Sequence, residues 1–218
     1  MNKRTEAGCG ITGIVLAAKP AGATGGQKLL AALPGQSGQV VVQRVVDSII
    51  AAGLQPVIVV VGHQASQVAG ALLGRPIQIV ENPRWAEGLS SSLRAGLKYV
   101  PVCASAVLFA LGDQPAIMPD TIRALVNTFL ESEADIVVPT FRGQRGNPVI
   151  FSRSTFGALN ELRGDVGGRK LMTAGSGFQI KEMETDDEGV IRDMDRPEDL
   201  NLIARVIRLS EEQDHHQL

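Results

Sequence analysis

Short apolar runs without polar alternation recur along the chain. They are GIVLA near Gly13, PVIVVVG from Pro56, AVLFALGD from Ala106 and DIVVP from Asp135. Runs of this kind are typical of strands that are covered on both faces, as the strands of parallel sheets are. The pattern therefore predicts a parallel sheet in the interior of the protein.

Segments with helical periodicity separate these runs. In VVVQRVVDSIIAAG, the residues Val41, Val45, Ile49 and Ala52 fall on one face, and the pattern stops at Gly53. QASQVAGALLG, SSLRAGLKYV and PDTIRALVNTFLES behave in the same way. Strands that alternate with helices predict βαβ units and a doubly wound α/β sheet. In such sheets, ligands bind beyond the carboxyl ends of the strands, where the strand order reverses.

The pattern changes after Pro139. QRGNPVIFS predicts a turn and a strand, DVGGRKLMTAG a short helix, FQIKEMET a strand with one exposed face, and RPEDLNLIARVIRL an amphipathic helix. We expect a small α+β extension that forms the second wall of a cleft. The predicted organisation is a flexible tail over residues 1–10, one domain over 11–208 and a polar tail over 209–218.

Composition and charge narrow the range of partners. The 218 residues carry a net charge of −2, which favours neither a nucleic acid nor an anionic membrane as a partner. No segment approaches the roughly 20 apolar residues that cross a bilayer. Cys9 and Cys103 lack the spacing of metal ligands, and we expect no disulfide framework. These features favour a cytoplasmic location.

The segment ITGIVLAAKPAGATGGQKLL, residues 11–30, runs from a predicted strand through small residues to Lys28. Backbone N–H groups in such a loop can approach phosphate oxygens, and a lysine adds positive charge. The spacing differs from both GxxxxGK[ST] and GxGxxG. From the residues alone, the loop is interpreted either as a phosphate site or as a simple turn.

Carboxylates follow the predicted sheet at two places. Asp113 in LGDQP comes directly after a buried strand, and Asp193 and Asp195 lie in DMDRPEDL. A Mg²⁺ ion that bridges the phosphates of a nucleotide needs one or two such oxygens. The alternatives are that Asp113 begins a turn and that Asp195 begins a helix with Pro197 in its first turn.

Three consecutive serines, residues 90–92, precede a predicted helix in NPRWAEGLSSSLRAGL. One of them can cap that helix. The hydroxyls and free N–H groups at this end are also suited to hold a base, a ribose or a phosphate.

Together these motifs resemble the nucleotidyltransferases of the molybdenum cofactor cytidylyltransferase family, which are close to the guanylyltransferases of the same cofactor. The resemblance covers about residues 11–203 and rests on LAA at 16–18, Lys28 with the following leucines, VVVGH, ENPRWAEGLSSSLRAGL, LGDQP, GQRGNPVIF, GDVGGRKL and DMDRPEDL. It implies a single-domain, Rossmann-like three-layer α/β sandwich of the nucleotide-diphospho-sugar transferase type, with a mostly parallel sheet.

The resemblance also implies an activity. Enzymes of this family use Mg²⁺ and a nucleoside triphosphate to transfer the NMP group to the terminal phosphate of molybdopterin, releasing pyrophosphate. The LAA motif favours CTP as the nucleotide, because the guanylyltransferases of the family tend to have LAGG at this position. The expected partners are these small molecules, together with a transient contact between a monomer and an apo molybdenum hydroxylase.

The site residues follow from the resemblance by position. Catalytic roles fall to Lys28 and Asp113, and Mg²⁺ would be held by Asp113 and Asp195. Lys19 is a third catalytic candidate, which the resemblance itself does not supply. The nucleotide pocket would be lined by Leu16, Ala17, Ala18, Gly25, Gly26, Lys28, Gly88, Leu89, Ser90, Ser91 and Ser92. The acceptor side would be shaped by Gly146, Asn147, Pro148, Gly164, Asp165 and Gly167.

The chain departs from the family inside the phosphate loop, which reads approximately LAAGxSxRMGxxK. Lys19, Ala21, Ala23 and Thr24 replace its glycine, serine, arginine and methionine. In one hypothesis, Lys19 supplies the charge of the missing arginine. In a second, the protein is a catalytically impaired cofactor-binding or hydroxylase-maturation protein that keeps the fold. A third is cytidylyl or uridylyl transfer to another phosphorylated small molecule.

Overall fold

The computed structural model describes residues 9–19, 28–196 and 198–215. Most of the predicted phosphate loop, including Gly25 and Gly26, lies outside these residues, as do parts of the two predicted tails.

Strands and helices alternate through the described part of the chain. The strands are β1 (Cys9–Ala17), β2 (Val57–Val61), β3 (Gln78–Glu81), β4 (Ala104–Leu111), β5 (Ile136–Phe141), β6 (Gln144–Arg145), β7 (Val149–Ser152) and β8 (Ile180–Glu184). The helices are α1 (Val41–Ala51), α2 (Ala65–Ala71), α3 (Leu89–Leu97), α4 (Pro119–Glu131), α5 (Phe156–Glu161) and α6 (Asp199–His215).

One mixed sheet runs through the protein in the order β3-β2-β1-β4-β7-β5-β6, and β8 pairs with β5. β1 pairs in parallel with β2 on one side and β4 on the other, and β7 joins β4 to β5 by antiparallel pairing. The strand order reverses at β1 and β4, where Leu16 is in register with Leu111. Ligands of doubly wound sheets bind beyond the carboxyl ends of the strands at such a point.

Helices cover both faces of the sheet. Along β1, Val15 belongs to the core under α1 and α4, whereas Ile14 and Leu16 belong to the core under α3 and α5. Both faces of the strand are therefore apolar, which explains the runs without polar alternation. The predicted fold class, a three-layer α/β sandwich with a small extension, is confirmed.

The extension is tied to the first half of the chain through Asp187. Its side chain is 9% exposed and accepts hydrogen bonds from the backbone N–H of Met118 and the hydroxyl of Thr121, at 3.0 and 2.7 Å. α6 packs beside this contact, with Ile203 and Ile207 buried against Ala116. The extension and the first half therefore share a core.

Two sequence interpretations require correction or addition. Cys103 is disulfide-bonded, whereas the sequence led us to expect no disulfide. The strand β3 and the helix α5 were not predicted, because each is short. Three of the four β3 residues are exposed, so β3 has no continuous buried run. Within the described residues, no helix combines the length and the apolarity needed to span a membrane.

Candidate functional site

Lys28 lies between two carboxylates at the carboxyl end of β4. Its Nζ is 2.5 Å from Asp113 Oδ2 and 3.4 Å from Asp195 Oδ1. The side chains of Lys28 and Asp113 are 13% and 20% exposed, and that of Asp195 is 73% exposed. Lys28 begins a single 3₁₀ turn that is anchored by the buried Leu29. The positive charge of Lys28 is thus shared by two acidic loops, the loop after β4 that carries Asp113 and the loop of residues 193–195.

This arrangement keeps Lys28 charged. Burial alone would lower the pKa of Lys28, but the charge of Asp113 and its hydrogen bond, followed by those of Asp195, outweigh burial and raise the pKa above its usual range. Lys28 is therefore a permanent cation of the site at neutral pH.

Two further contacts connect the acidic loops. The backbone N–H of Met194 donates to the carbonyl of Asp113 at 2.9 Å. The buried side-chain amide of Gln114 donates to Asp193 Oδ1. Burial first, and then the charge of Asp113, raise the pKa of Asp193. Together these contacts fix the loop of residues 193–195 against the end of β4.

One interpretation of the sequence was that Asp195 begins the last helix. In the structure, Asp195 does not cap that helix. Asp199 instead accepts hydrogen bonds from the backbone N–H groups of Asp195 and Arg196, at 2.9 and 2.7 Å. The carboxylate of Asp195 is consequently left for Lys28 or another cation.

The donor set suits a magnesium ion that shares its coordination with a substrate. Mg²⁺ is usually held by one or two carboxylates together with phosphates and water, and the ammonium of Lys28 marks a position where Asp113 and Asp195 share one cation. Among the described residues, no group of three or more His, Cys, Asp or Glu side chains forms a metal site. The site thus fits Mg²⁺ that arrives with a nucleotide better than an ion held by protein ligands alone.

A cavity of about 240 Å³ lies next to this cluster, and we call it the nucleotide-side cavity. It is lined by Leu16, Ala18, Lys19, Lys28, Leu89, Ser92, Leu111, Asp113 and Asp195. Five of the eleven nucleotide-pocket residues predicted from the sequence meet here: Leu16, Ala18, Lys28, Leu89 and Ser92. Ala17 is instead packed into the core beneath α1.

The three predicted serines divide their roles. Ser90 and Ser91 donate to the backbone carbonyls of Gly164 and Gly88, each at 2.8 Å. Their hydroxyls therefore stabilise the start of α3, and neither serine lines the nucleotide-side cavity.

Ser92 borders that cavity, and its hydroxyl is oriented by Asn82. The amide group of Asn82 donates to Ser91 Oγ at 2.9 Å and to Ser92 Oγ at 3.1 Å. Because Ser92 Oγ accepts this bond, its own proton is free for an acceptor atom. Ser92 is thus the serine that can donate to a ligand.

Lys19 pairs with Asp165, which the sequence placed on the acceptor side. The ammonium of Lys19 donates to Asp165 Oδ1, and the backbone N–H of Leu89 donates to the same oxygen at 3.1 Å. The hydrogen bond from Lys19 and then that from Leu89 lower the pKa of Asp165. Asp165 therefore joins the beginning of the phosphate loop to the amino end of α3.

A second cavity, also about 240 Å³, adjoins the first through shared walls at Leu16, Leu89 and Leu111, and we call it the acceptor-side cavity. Its other lining residues are Leu93, Phe109, Asn147, Val149, Phe151, Gly167, Gly168, Arg169 and Asp193. Of the predicted acceptor-side residues, Asn147 and Gly167 line it.

The other residues that were predicted on the acceptor side contribute to the structure of the loops and do not line the cavity. A Cβ atom on Gly146 would collide with the carbonyl of Val190, and Gly164 has a φ of 72° and accepts from Ser90. Pro148 lies next to a smaller internal space under Ile122. These residues shape the loops around the cavity rather than its surface.

Sequence reasoning did not assign Gln114 or Arg169, and it considered Asp193 only as a carboxylate for Mg²⁺ beside Asp195. Gln114 and Asp193 stand beside predicted metal ligands in LGDQP and DMDRPEDL, which is the signal that could have identified them. Arg169 follows the glycine pair in GDVGGRKL and carried no such signal.

Comparison with known proteins places this geometry in a family. Residues 13–180 match the family described as MobA-like NTP transferase domain. This match includes Lys28 and Asp113 and ends before Asp195. Purine catabolism protein PucB from Bacillus subtilis (strain 168) is 31% identical over 122 residues, which cover 56% of this chain and 58% of PucB. The matched segment thus spans less than two thirds of that relative.

Solved structures agree over almost the whole chain. Rv0371c from Mycobacterium tuberculosis H37Rv has a TM-score of 0.78 and 29% identity, covering 90% of this chain and 98% of its own. The same protein has also been solved in complex with manganese, with a TM-score of 0.72, 31% identity and coverage of 89% and 98%. Molybdopterin-guanine dinucleotide biosynthesis protein A from Archaeoglobus fulgidus, at 14% identity, shares the fold with a TM-score of 0.66 over 91% of this chain and 99% of its own.

The match over residues 13–180 and the shared sheet architecture agree with the resemblance in the motifs, and this chain belongs to the MobA-like NTP transferase family.

Proposed function

We propose that the protein is a nucleotidyltransferase that transfers CMP, with GMP as second choice, from the nucleoside triphosphate to molybdopterin. The observation that carries the proposal is the position of Lys28 between Asp113 and Asp195. This cluster lies at the carboxyl end of β4, beside two adjoining cavities. One cavity suits the triphosphate and the other its acceptor.

The reaction needs no covalent nucleophile. A terminal phosphate oxygen of the acceptor attacks the α-phosphorus, the bond from that phosphorus to the oxygen bridging to the β-phosphate breaks, and pyrophosphate leaves with the electron pair. The attacking phosphate is already ionised at neutral pH, so charge neutralisation and in-line positioning supply the catalysis.

The residues of the site divide this work. Mg²⁺, held by Asp113 and Asp195, would neutralise charge on the phosphate oxygens. Lys28 presents a second positive charge to the triphosphate, and Ser92 offers a proton to an acceptor atom of the nucleotide.

Lys19 is the residue that best compensates for the missing arginine. Its side chain is 42% exposed and lines the nucleotide-side cavity, where Asp165 orients the ammonium. A triphosphate that enters the cavity can compete with Asp165 for this charge. This supports the working enzyme over the catalytically impaired cofactor-binding protein, which remains the second candidate.

We further propose that the protein acts as a cytoplasmic monomer that contacts an apo molybdenum hydroxylase transiently. The name of the Bacillus subtilis relative, a purine catabolism protein, supports a molybdenum hydroxylase of purine catabolism as the enzyme that receives the cofactor.

Pyrophosphate release tests the activity. Purified protein is incubated with Mg²⁺, molybdopterin and either CTP or GTP, and we expect release that depends on molybdopterin and is faster with CTP. Tight binding of molybdopterin without release from any nucleotide would establish the impaired binding protein instead. Release with another phosphorylated small molecule, but not with molybdopterin, would favour the third hypothesis.

A thermal-shift panel tests nucleotide binding separately. A ligand that binds the native state at about 100 times its Kd stabilises it by about 2.7 kcal/mol. We expect the largest increase in Tm with CTP and Mg²⁺ together, compared with GTP, ATP and UTP. A flat response to all four nucleotides would contradict the proposal.

A further inference from the structure

We propose that Gln114 is a positioning residue of the cation site, whose buried amide holds the loop of residues 193–195 so that Asp195 stays beside Asp113. The inference rests on the proposed function for the role of these two carboxylates in holding Mg²⁺. It goes further by naming the residue that places Asp195, although Gln114 lines neither of the two cavities.

The loop of residues 193–195 divides its two acidic side chains between the cavities. Asp193 lines the acceptor-side cavity, and Asp195 lines the nucleotide-side cavity. Met194, which separates them, is 2% exposed and packs with Ile203 in the core beside α6. Because only this one anchored residue lies between the two carboxylates, a change in the position of Asp193 also changes the position of Asp195.

Gln114 fixes the loop from the side of β4. It directly follows Asp113, and its side-chain N–H donates to Asp193 Oδ1. The orientation of the amide is set because a carboxylate only accepts hydrogen bonds, so the opposite orientation would place two oxygens against each other. The charge of Asp113 acts on Asp193 with the same sign. The amide of Gln114 is thus a contact that offsets the repulsion between the two acidic loops.

The surroundings of Gln114 do not favour an amide. Gln114 is 2% exposed, and no described residue donates a hydrogen bond to its Oε1. The small internal space beside it is lined mostly by apolar side chains, among them Val45, Ile49 and Ile122. A buried oxygen without a partner lowers stability, and an apolar side chain of similar shape avoids this cost. The amide at position 114 is therefore explained by its contact with Asp193 rather than by stability.

Gln43 is a glutamine with a structural role in the same protein. Its Oε1 accepts a hydrogen bond from the N–H of Val40 at 2.9 Å, and its amide donates to the carbonyl of Ala71 at 2.7 Å. Both ends of the side chain are paired, and the two contacts hold the start of α1 against the end of α2. Gln43 is therefore a matched control for Gln114.

The same substitution at both positions distinguishes the two roles. Methionine is unbranched and adapts to irregular space, so Gln114→Met and Gln43→Met each remove an amide with little change in volume. We expect the midpoint of urea unfolding of Gln114→Met to equal or exceed that of the parent protein, and that of Gln43→Met to be lower. A lower midpoint for Gln114→Met would assign it a structural role and overturn the inference.

Hydrogen exchange reports on the loop in the absence of metal. The N–H of Met194, which donates to the carbonyl of Asp113, is followed by NMR in the ¹⁵N-labelled protein. Loss of the contact between Gln114 and Asp193 should make this N–H exchange about tenfold faster, because the loop then opens locally more often. Gln43→Met should leave the rate unchanged. An unchanged rate in Gln114→Met would contradict the assigned role.

Binding of Mn²⁺ in the presence of CTP reports on the placement of Asp195. Mn²⁺ takes the same oxygen ligands as Mg²⁺, and electron paramagnetic resonance gives its Kd for the complete protein. We expect Gln114→Met to raise this Kd by about tenfold and Gln43→Met to leave it unchanged.

A double-mutant cycle tests whether Gln114 acts through Asp193. Asp193→Ala should raise the Kd of Mn²⁺ to a similar extent as Gln114→Met. The double variant should bind Mn²⁺ no more weakly than Asp193→Ala, because the two residues act through one contact. Effects that add fully would show that Gln114 acts on its neighbour Asp113 instead, and would overturn the inference.

The outcomes separate this inference from the proposed function. Equal Mn²⁺ affinity in Gln114→Met and the parent protein would overturn the inference and leave the proposed function intact. If the parent protein bound no Mn²⁺ with CTP, the proposed function would fail. Faster exchange at Met194 with an undiminished urea midpoint in Gln114→Met would still establish that Gln114 positions the loop of residues 193–195.

Discussion

Lys28 acts as an internal counter-ion for Asp113 and Asp195. If it stands where the charge of Mg²⁺ is needed, its removal should make the two carboxylates more dependent on added metal. We therefore expect Mg²⁺ alone to raise the Tm of Lys28→Met more than that of the parent protein. Pyrophosphate release should fall by about 10²-fold or more, the scale seen when one stabilising group of a polar transition state is lost.

Lys98→Met is the control for this experiment. Lys98 is exposed at the end of α3 and lines neither of the two cavities. Its replacement should change neither the response to Mg²⁺ nor the rate. An equal Mg²⁺ response in Lys28→Met and the parent protein would contradict the assigned role of Lys28.

The pair of Lys19 and Asp165 should make a small, pH-dependent contribution to stability. The pKa of Asp165 is lowered in the folded protein, so the contribution is complete above the unfolded value of about 3.9 and is lost as pH falls through the folded value. The two side chains are 42% and 66% exposed, which limits the effect to about 1 kcal/mol or less.

Urea unfolding of Asp165→Asn measures this contribution. We expect the variant to be less stable than the parent protein at pH 7 and the difference to shrink as the pH falls below about 4. A difference that stays constant down to the lowest pH that preserves the fold would show that Asp165 acts through its shape rather than its charge.

At the scale of residues, position after a strand was the informative signal. It pointed to Lys28 in the loop after β1 and to Asp113 after β4, since the ends of neighbouring strands meet at the same edge of the sheet. Asp195 was predicted from the resemblance in DMDRPEDL. The hydroxyls of Ser90 and Ser91 bond to backbone carbonyls of local turns, and the sequence does not specify these contacts. The contact of Gln114 with Asp193 joins residues 79 positions apart, and no local pattern predicts it.

Among the elements, the turn before β7 depends on close packing against the segment of residues 188–191. Gly146 has no room for a side chain beside Val190, and the neighbouring N–H of Asn147 donates to the same carbonyl at 2.8 Å. We expect Gly146→Ala to lower the free energy of unfolding by about 1–3 kcal/mol, as overpacking commonly does. Chemical unfolding measures this change.

Gly157→Ala is the matched control. Gly157 lies in α5, and no atom lies within 4 Å of a Cβ added there. Alanine favours a helix over glycine by about 0.5–1 kcal/mol, so this variant should be slightly more stable than the parent protein. A similar loss in both glycine variants would contradict the packing explanation for Gly146.

The elements that were predicted are those whose buried residues form a long, regular pattern in the sequence. β1, β2, β4 and β5 are covered on both faces, and α1 and α4 turn one apolar stripe inward, so their periods are readable. The helix α5 has six residues and the strand β3 has four. Elements of this length are stabilised by their neighbours, which a single sequence does not reveal.

The whole molecule should unfold in one step. A single sheet runs from β3 to β6, and Asp187 joins the extension to α4. Trp85, the only tryptophan of the chain, packs against Gly62 at the end of β2 and reports on the first half. We expect urea transitions followed by tryptophan fluorescence and by far-UV circular dichroism to coincide. An earlier fluorescence transition would indicate that the two halves unfold separately.

The bond from the N–H of Met194 to the carbonyl of Asp113 has a consequence for shortened forms of the protein. Every strand of the sheet is complete at Glu184, yet one of the two acidic loops comes later in the chain. A product that ends between these points would contain every strand and both phenylalanines of the acceptor-side cavity, but it would lack Asp195 and α6, whose Ile203 and Ile207 are buried against Ala116. Such a truncation would open this shared core and remove the cation site together, so fragment libraries screened for folding should discard forms that end before α6.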